Sequence, residues 1–208
     1  MKSPLDFSAE NRTGLVKIAR IYSNVVSPPV MFAVLGIAFA LKDLPFAEGM
    51  GWATIYGLLV SLAPILVVLY LLNKGIIKEL HMSDTRERHI PYIGSIIFAG
   101  IAWVVISQFH GPDLLRCLAI FNMIELALLA IINVFWLISL HSTGIMASFM
   151  LVGLVWNWEI ATLVVMPFVV TVCWVRLYLK RHTRSQVVAG LALGAISVLS
   201  LTTTGCFG

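Results

Sequence analysis

Charge is what this chain has least of. Only 12% of its 208 residues are Asp, Glu, Lys or Arg, whereas 60% are hydrophobic. Mean hydropathy is +0.96. A soluble domain of this length needs far more polar surface than that, which excludes the water-soluble classes, and nucleic acid is not an expected partner. Cysteine is scarce as well. Cys117, Cys173 and Cys206 show no paired spacing, define no redox compartment and do not suggest a metal site. His81, His89 and His110 make no persuasive ligand set either, so neither a metal nor any other cofactor is expected. No cleavable signal peptide is expected, because residues 1–25 carry Asp6, Glu10, Arg12, Lys17 and Arg20 and lack a short apolar core. Low-complexity tracts and linkers are missing too. The economical division is a cytoplasmic or interfacial segment at 1–25 and one membrane-embedded domain at 26–208.

The apolar residues fall in blocks, at about 26–41, 52–72, 90–109, 114–138, 145–155, 160–175 and 187–201. A helix needs about 20 apolar residues to cross the hydrocarbon core, and about 17 suffice. Several blocks qualify outright. The block at 145–155 qualifies only if Gly144 and the Trp156-Asn157-Trp158 belt are added. The expected fold class is therefore all-α, a polytopic integral membrane helical bundle of six to seven spans. Ahead of Pro28-Pro29, residues Leu15, Ile18, Ile21 and Tyr22 recur at helical spacing. Two placements fit that helix, flat on the bilayer surface or packed on the bundle.

With seven spans, the polar connections at 73–89, 139–144 and 176–186 all open on one face. Twelve of the 14 Lys and Arg fall on that face, and only Lys42 and Arg116 on the other. Without Arg86, Arg88, Arg176, Arg181 and Arg184, the count is still seven against two. The positive-inside rule then puts this face in the cytoplasm.

These connections hold the residues suited to chemistry. The stretch 176–186 reads RLYLKRHTRSQ, and SLHSTG occupies 139–144. Arginine suits phosphate because its planar fork donates paired hydrogen bonds and stays charged. A neutral imidazole can attack phosphorus, and a second imidazole can protonate the leaving oxygen. Helix N-termini after His141 and His182 would add backbone N–H groups aimed at an anion. Each residue also has a plainer reading. An interfacial histidine can be a satisfied polar group, and a basic loop can be a topological signal in contact with lipid headgroups. Thr183-Arg184-Ser185-Gln186 fits a capping box, with Gln186 reaching back to Thr183. Mid-span, Glu125 is either functional or a structural group bonded to Asn122 or another helix. Gly190 and Gly194 form a small-xxx-small face for helix packing.

Arg176, five residues, His182, three residues and Gln186, followed by VVAGLALG, resemble the third motif, R-x5-H-x3-D, of the type 2 phosphatidic acid phosphatase superfamily. Ser139-Leu140-His141 is similar to its second motif, and Arg86-Glu87-Arg88-His89-Ile90-Pro91 loosely to its first, K-x6-R-P. The resemblance spans about residues 74–200. It implies that His182 is a nucleophile forming a phosphohistidine, that His141 is the acid for the departing alcohol, and that Arg176, Arg88 and Ser139 hold the phosphoryl oxygens.

The chain departs from the family pattern in two places. Gln186 stands where the family has an aspartate; its carbonyl can accept the imidazole Nδ1–H but brings no charge. Seven residues before Arg88 stands His81 instead of lysine, so Asp84, Arg86 and Arg88 define a variant first motif with Lys78 as a further contact. The expected function is hydrolysis of a lipid phosphate without metal: phosphatidic acid, phosphatidylglycerol phosphate or an isoprenyl phosphate, with the lipid bilayer as partner. Two rivals stand beside it. One is a non-catalytic lipid-binding or transport protein on the same scaffold. The other is a Mg²⁺-dependent prenyl or phosphoalcohol transferase using the acidic loop at 84–88.

Overall fold

The computed structural model describes residues 4–8, 10–80, 82 and 85–207; Lys2, His81 and Asp84 lie outside the described residues. All regular structure among the described residues is helical. We number the helices α1 (Gly14–Val25), α2 (Pro28–Asp43), α3 (Phe46–Asn73), α4 (His89–Gln108), α5 (Asp113–Phe135), α6 (Leu140–Val155), α7 (Trp158–Tyr178) and α8 (Arg184–Thr202). A 3₁₀ turn, Thr85–Arg88, leads into α4.

Two of these helices contain a π-helical turn, at Leu58–Leu62 in α3 and Ala161–Val165 in α7. Each ends just before a proline, Pro64 and Pro167. Proline has no N–H to donate and its ring crowds the carbonyl of residue i−4. A widened turn relieves that clash while the helix continues.

Among the described residues, five helices are long and apolar enough to cross a bilayer: Phe46–Asn73, Thr85–Gln108, Asp113–Phe135, Trp158–Tyr178 and Arg184–Thr202. A sixth span exists if α1 and α2, bent by 45° at their junction, count as one. Helix α6 has only 16 residues. At 1.5 Å per residue it is about 24 Å long, short of a hydrocarbon core of about 30 Å. The all-α polytopic class stands, and the span number becomes five or six where the apolar blocks had suggested six or seven.

The chain divides into two compact units. One comprises the described residues up to Met31 together with Leu137–Ser200; the other comprises Phe32–Trp136 and Leu201–Phe207. The core of the first unit gathers Met31, Ile145, Val169 and Val172. A second cluster, Ala19 with Val175 and Leu179, packs α1 onto α7. Helix α1 therefore packs on α7, with Leu15, Ile18, Ile21 and Val25 left exposed on its outer side.

In the second unit α4 packs along α5. Buried amides meet phenols: Asn122 Nδ2 donates to Tyr56 Oη at 2.7 Å and Asn133 Nδ2 to Tyr92 Oη at 3.0 Å. The Asn122 amide also reaches the Leu118 carbonyl at 2.8 Å. The Asn122–Glu125 bond expected above is not formed, and both carboxyl oxygens of fully buried Glu125 lack a hydrogen-bond partner among the described residues. Cys117 and Cys206, which showed no pairing in the sequence, form a disulfide. Their separation of 89 residues is closed by the fold, and spacing could not reveal it.

Candidate active site

The stretch RLYLKRHTRSQ is two helix ends back to back. Helix α7 stops in a Schellman turn. The Arg181 N–H donates to the Arg176 carbonyl at 3.2 Å and the Lys180 N–H to the Leu177 carbonyl at 3.0 Å. This 6→1 and 5→2 pattern needs a left-handed residue at its apex, a place glycine usually fills. Here it is Lys180, with φ of +54°. Folding the chain back in this way is what the spacing R-x5-H does: it returns the backbone just ahead of His182 to the turn that carries Arg176.

One residue later α8 begins. The Gln186 N–H donates to Thr183 Oγ1 at 3.3 Å, and the Thr183 N–H donates to Gln186 Oε1 at 2.9 Å. That reciprocal pair is a capping box. His182 therefore stands immediately outside an N-capped helix, 6% exposed. The side-chain carbonyl of Gln186 serves the Thr183 amide.

Ser139 plays the matching part for α6. Its Oγ accepts from the Ser142 N–H at 3.3 Å and from the Ser142 hydroxyl at 3.0 Å. The two capped ends meet, because the Ser139 N–H donates to the Gln186 main-chain carbonyl at 3.3 Å. Glycine permits the approach. A Cβ on Gly190 would lie 2.8 Å from the Ser139 carbonyl oxygen, and one on Gly194 would overlap the Thr143 carbonyl. The two capped helix starts are thus adjacent, and helix N-termini favour an anion.

Into the same unit comes α1, which the sequence had not connected with chemistry. Arg176, only 2% exposed, donates from Nη1 to Ser23 Oγ at 2.9 Å. His141 Nε2 lies 3.0 Å from the Ser23 carbonyl oxygen and 3.5 Å from its hydroxyl. A carbonyl only accepts, so Nε2 carries the hydrogen. Ahead of α1, the Asp6 carboxylate takes Arg181 in a two-pronged contact, Nε to Oδ1 at 3.0 Å and Nη2 to Oδ2 at 2.9 Å. Arg20 Nη1 adds a contact to Oδ2 at 3.5 Å. The Leu5 N–H donates to the Leu179 carbonyl at 3.0 Å. Neither Ser23 nor Asp6 sits in a motif, and the partners that tie them to the site, Arg176, His141 and Arg181, are more than a hundred residues away.

Ser139, His141, Arg176, His182 and Gln186 thus all lie in the first unit, on elements joined by these hydrogen bonds. Arg88, Arg86 and Lys78 belong to the second. Arg88 is 6% exposed and donates from Nε to the Met82 carbonyl at 2.8 Å, bracing its own loop. Arg86 and Lys78 are exposed, and the Lys78 main-chain N–H donates to Glu87 Oε2 at 3.2 Å. Among the described residues no group of three or more His, Cys, Asp or Glu could hold a metal ion.

Residues 133–205 match the family model of the PAP2 superfamily. No curated protein and no solved structure matches the chain. The matched stretch contains the two capped helix starts, both histidines and Arg176, and leaves out Asp6, Ser23 and the arginines of the 85–88 turn. The stretch that carries His141, Arg176 and His182 is therefore similar to the PAP2 superfamily.

Proposed function

We propose that the protein is an integral membrane phosphatase that hydrolyses the phosphoester or diphosphate of a lipid. The observation that carries this reading is the meeting of two helix N-termini beside buried Arg176 and His182, in the stretch that matches the superfamily. An anion is the ligand such a site favours, and a phosphate is the anion an arginine fork fits.

In this mechanism the neutral His182 imidazole attacks phosphorus, and the bond from phosphorus to the lipid oxygen breaks. The leaving oxygen takes a proton from His141. Water then gives a proton back to His141 as it attacks the phosphohistidine, the P–N bond breaks, and inorganic phosphate departs with both imidazoles restored. Arg176 neutralises the phosphoryl oxygens through both steps, and the backbone N–H groups at the starts of α6 and α8 add to that stabilisation. Ser139 donates a hydrogen bond in this reading. Phosphatidic acid, phosphatidylglycerol phosphate and isoprenyl phosphates all offer the required headgroup.

A cytoplasmic orientation of the site belongs to this reading, and two arguments support it. With α6 counted as a crossing, twelve of the 14 Lys and Arg lie on the face of the site, which supports a cytoplasmic site. The disulfide supports the same assignment. Helix α8 has 19 residues, about 28 Å of rise, and Cys206 follows its far end from His182. Disulfides persist in oxidising compartments, which supports placing the far end of α8 outside the cytosol.

A second reading, a lipid-binding protein without catalysis, is favoured by one observation: Gln186 Oε1 is engaged by the Thr183 amide, and no charged orienter takes the aspartate's place in the motif. Phosphate release from detergent-solubilised protein in EDTA separates the two. The expected result is release from at least one of the three lipids, abolished by His182→Ala. Lipid binding without release, unchanged in that variant, would establish the second reading.

A further inference from the structure

Helix α1 turns two small residues inward. Ala19 and Ser23, one helical turn apart, are each 2% exposed, while Leu15, Ile18, Ile21 and Val25 on the other side are at least half exposed. A hydroxyl buried in such an interface costs free energy unless it is bonded. Ser23 meets that demand by accepting from Arg176 Nη1 at 2.9 Å. Its main-chain carbonyl belongs to the last turn of α1, where carbonyls have no partner within the helix. His141 Nε2 fills that vacancy at 3.0 Å. One residue therefore holds the arginine of one motif with its hydroxyl and the histidine of another with its backbone. The negative end of α1 also faces both groups, which favours a cation there.

Resting on the phosphatase reading above, we propose that Ser23 is a positioning residue. It fixes the Arg176 fork in the orientation that receives phosphate and sets its separation from His141. A guanidinium carries five N–H donors in a rigid plane. Tying Nη1 to Ser23 fixes the rotation of that plane, and the ordering cost is met before any phosphate arrives.

The test is a phosphorus NMR titration of inorganic phosphate into the full-length protein in detergent. Ser23→Ala is expected to weaken phosphate binding about tenfold, the scale of one hydrogen bond to a charged group. Ser23→Thr, which keeps the hydroxyl, should stay within about threefold of wild type. In an Arg176→Lys background, which keeps the charge and removes the fork, Ser23→Ala should change nothing further, since the two residues act as a unit. If Ser23→Ala fails to fold, Ser23→Cys replaces it, a near-isostere with a weaker acceptor. Unchanged affinity, or an equal loss whether or not the Arg176→Lys change is present, overturns the proposal and leaves the phosphatase reading standing. A wild-type protein that neither binds nor releases phosphate overturns both.

Discussion

Replacing Asp6 by alanine tests the energetics of the first unit most directly. Asp6 is fully buried, and the Arg181 side chain facing it is 3% exposed. Removing one member of a buried ion pair costs about 3–5 kcal/mol, because the remaining charge keeps its desolvation penalty and loses the attraction that offset it. For a chain of this length each kcal/mol shifts Tm by about 2–4 °C, so Asp6→Ala should lower Tm by about 6–20 °C. Cys173 supplies the assay. It is the one cysteine outside the Cys117–Cys206 disulfide and is only partly exposed. A thiol-reactive fluorophore added during heating therefore reports opening of α7. The double variant Asp6→Ala, Arg181→Leu removes both charges and should recover most of the loss, since an apolar pair often equals or exceeds a buried ion pair. A single variant that loses less than about 3 °C would mean that Arg181 reaches water once Asp6 is gone, and the buried-pair argument would fail.

Three further outcomes are expected. Lys180→Gly should raise stability by about 0.5–1 kcal/mol, because glycine adopts the left-handed apex without the steric penalty a side chain incurs; a lower Tm would contradict the Schellman assignment. Gln186→Ala should cost about 1 kcal/mol through loss of the capping box, while Gln186→Glu should keep the cap; equal losses in the two, measured by thermal unfolding, would show that Gln186 acts otherwise. Gly194→Val should separate α6 from α8, because even a Cβ would overlap the Thr143 carbonyl, and phosphate release should vanish while the protein remains inserted in the membrane.

Much of this was legible in the sequence, and what was not shares a cause. Hydropathy located every helix that became a span, and Thr183-x-x-Gln186 announced the start of α8, because both signals are local. The spacing between Arg176 and His182 signalled a site, but the Schellman turn beneath it was hidden by a lysine at the position where glycine would have marked it. Helix α6 reached the length of a span only with the Trp156-Asn157-Trp158 belt added, and the helix ends at Val155, before that belt. Asp6–Arg181 and Cys117–Cys206 are separated by 175 and 89 residues, and no period or spacing encodes such pairs. Ser23 was the hardest to see. It lies in a plain amphipathic helix, and only packing that helix on α7 brings its hydroxyl to Arg176.

The Asp6–Arg181 contact also orders events in time. The carboxylate leaves the ribosome first, and its guanidinium partner follows 175 residues later. At about 5–20 residues per second the interval is roughly 9–35 s. Throughout that interval the amino-terminal arm has no buried seat, and Asp6 stays in water while helices α2 to α7 enter the bilayer. Docking of the arm is therefore a late, post-insertion event. Chains truncated before residue 181 should leave the arm open to protease however well their earlier helices have inserted.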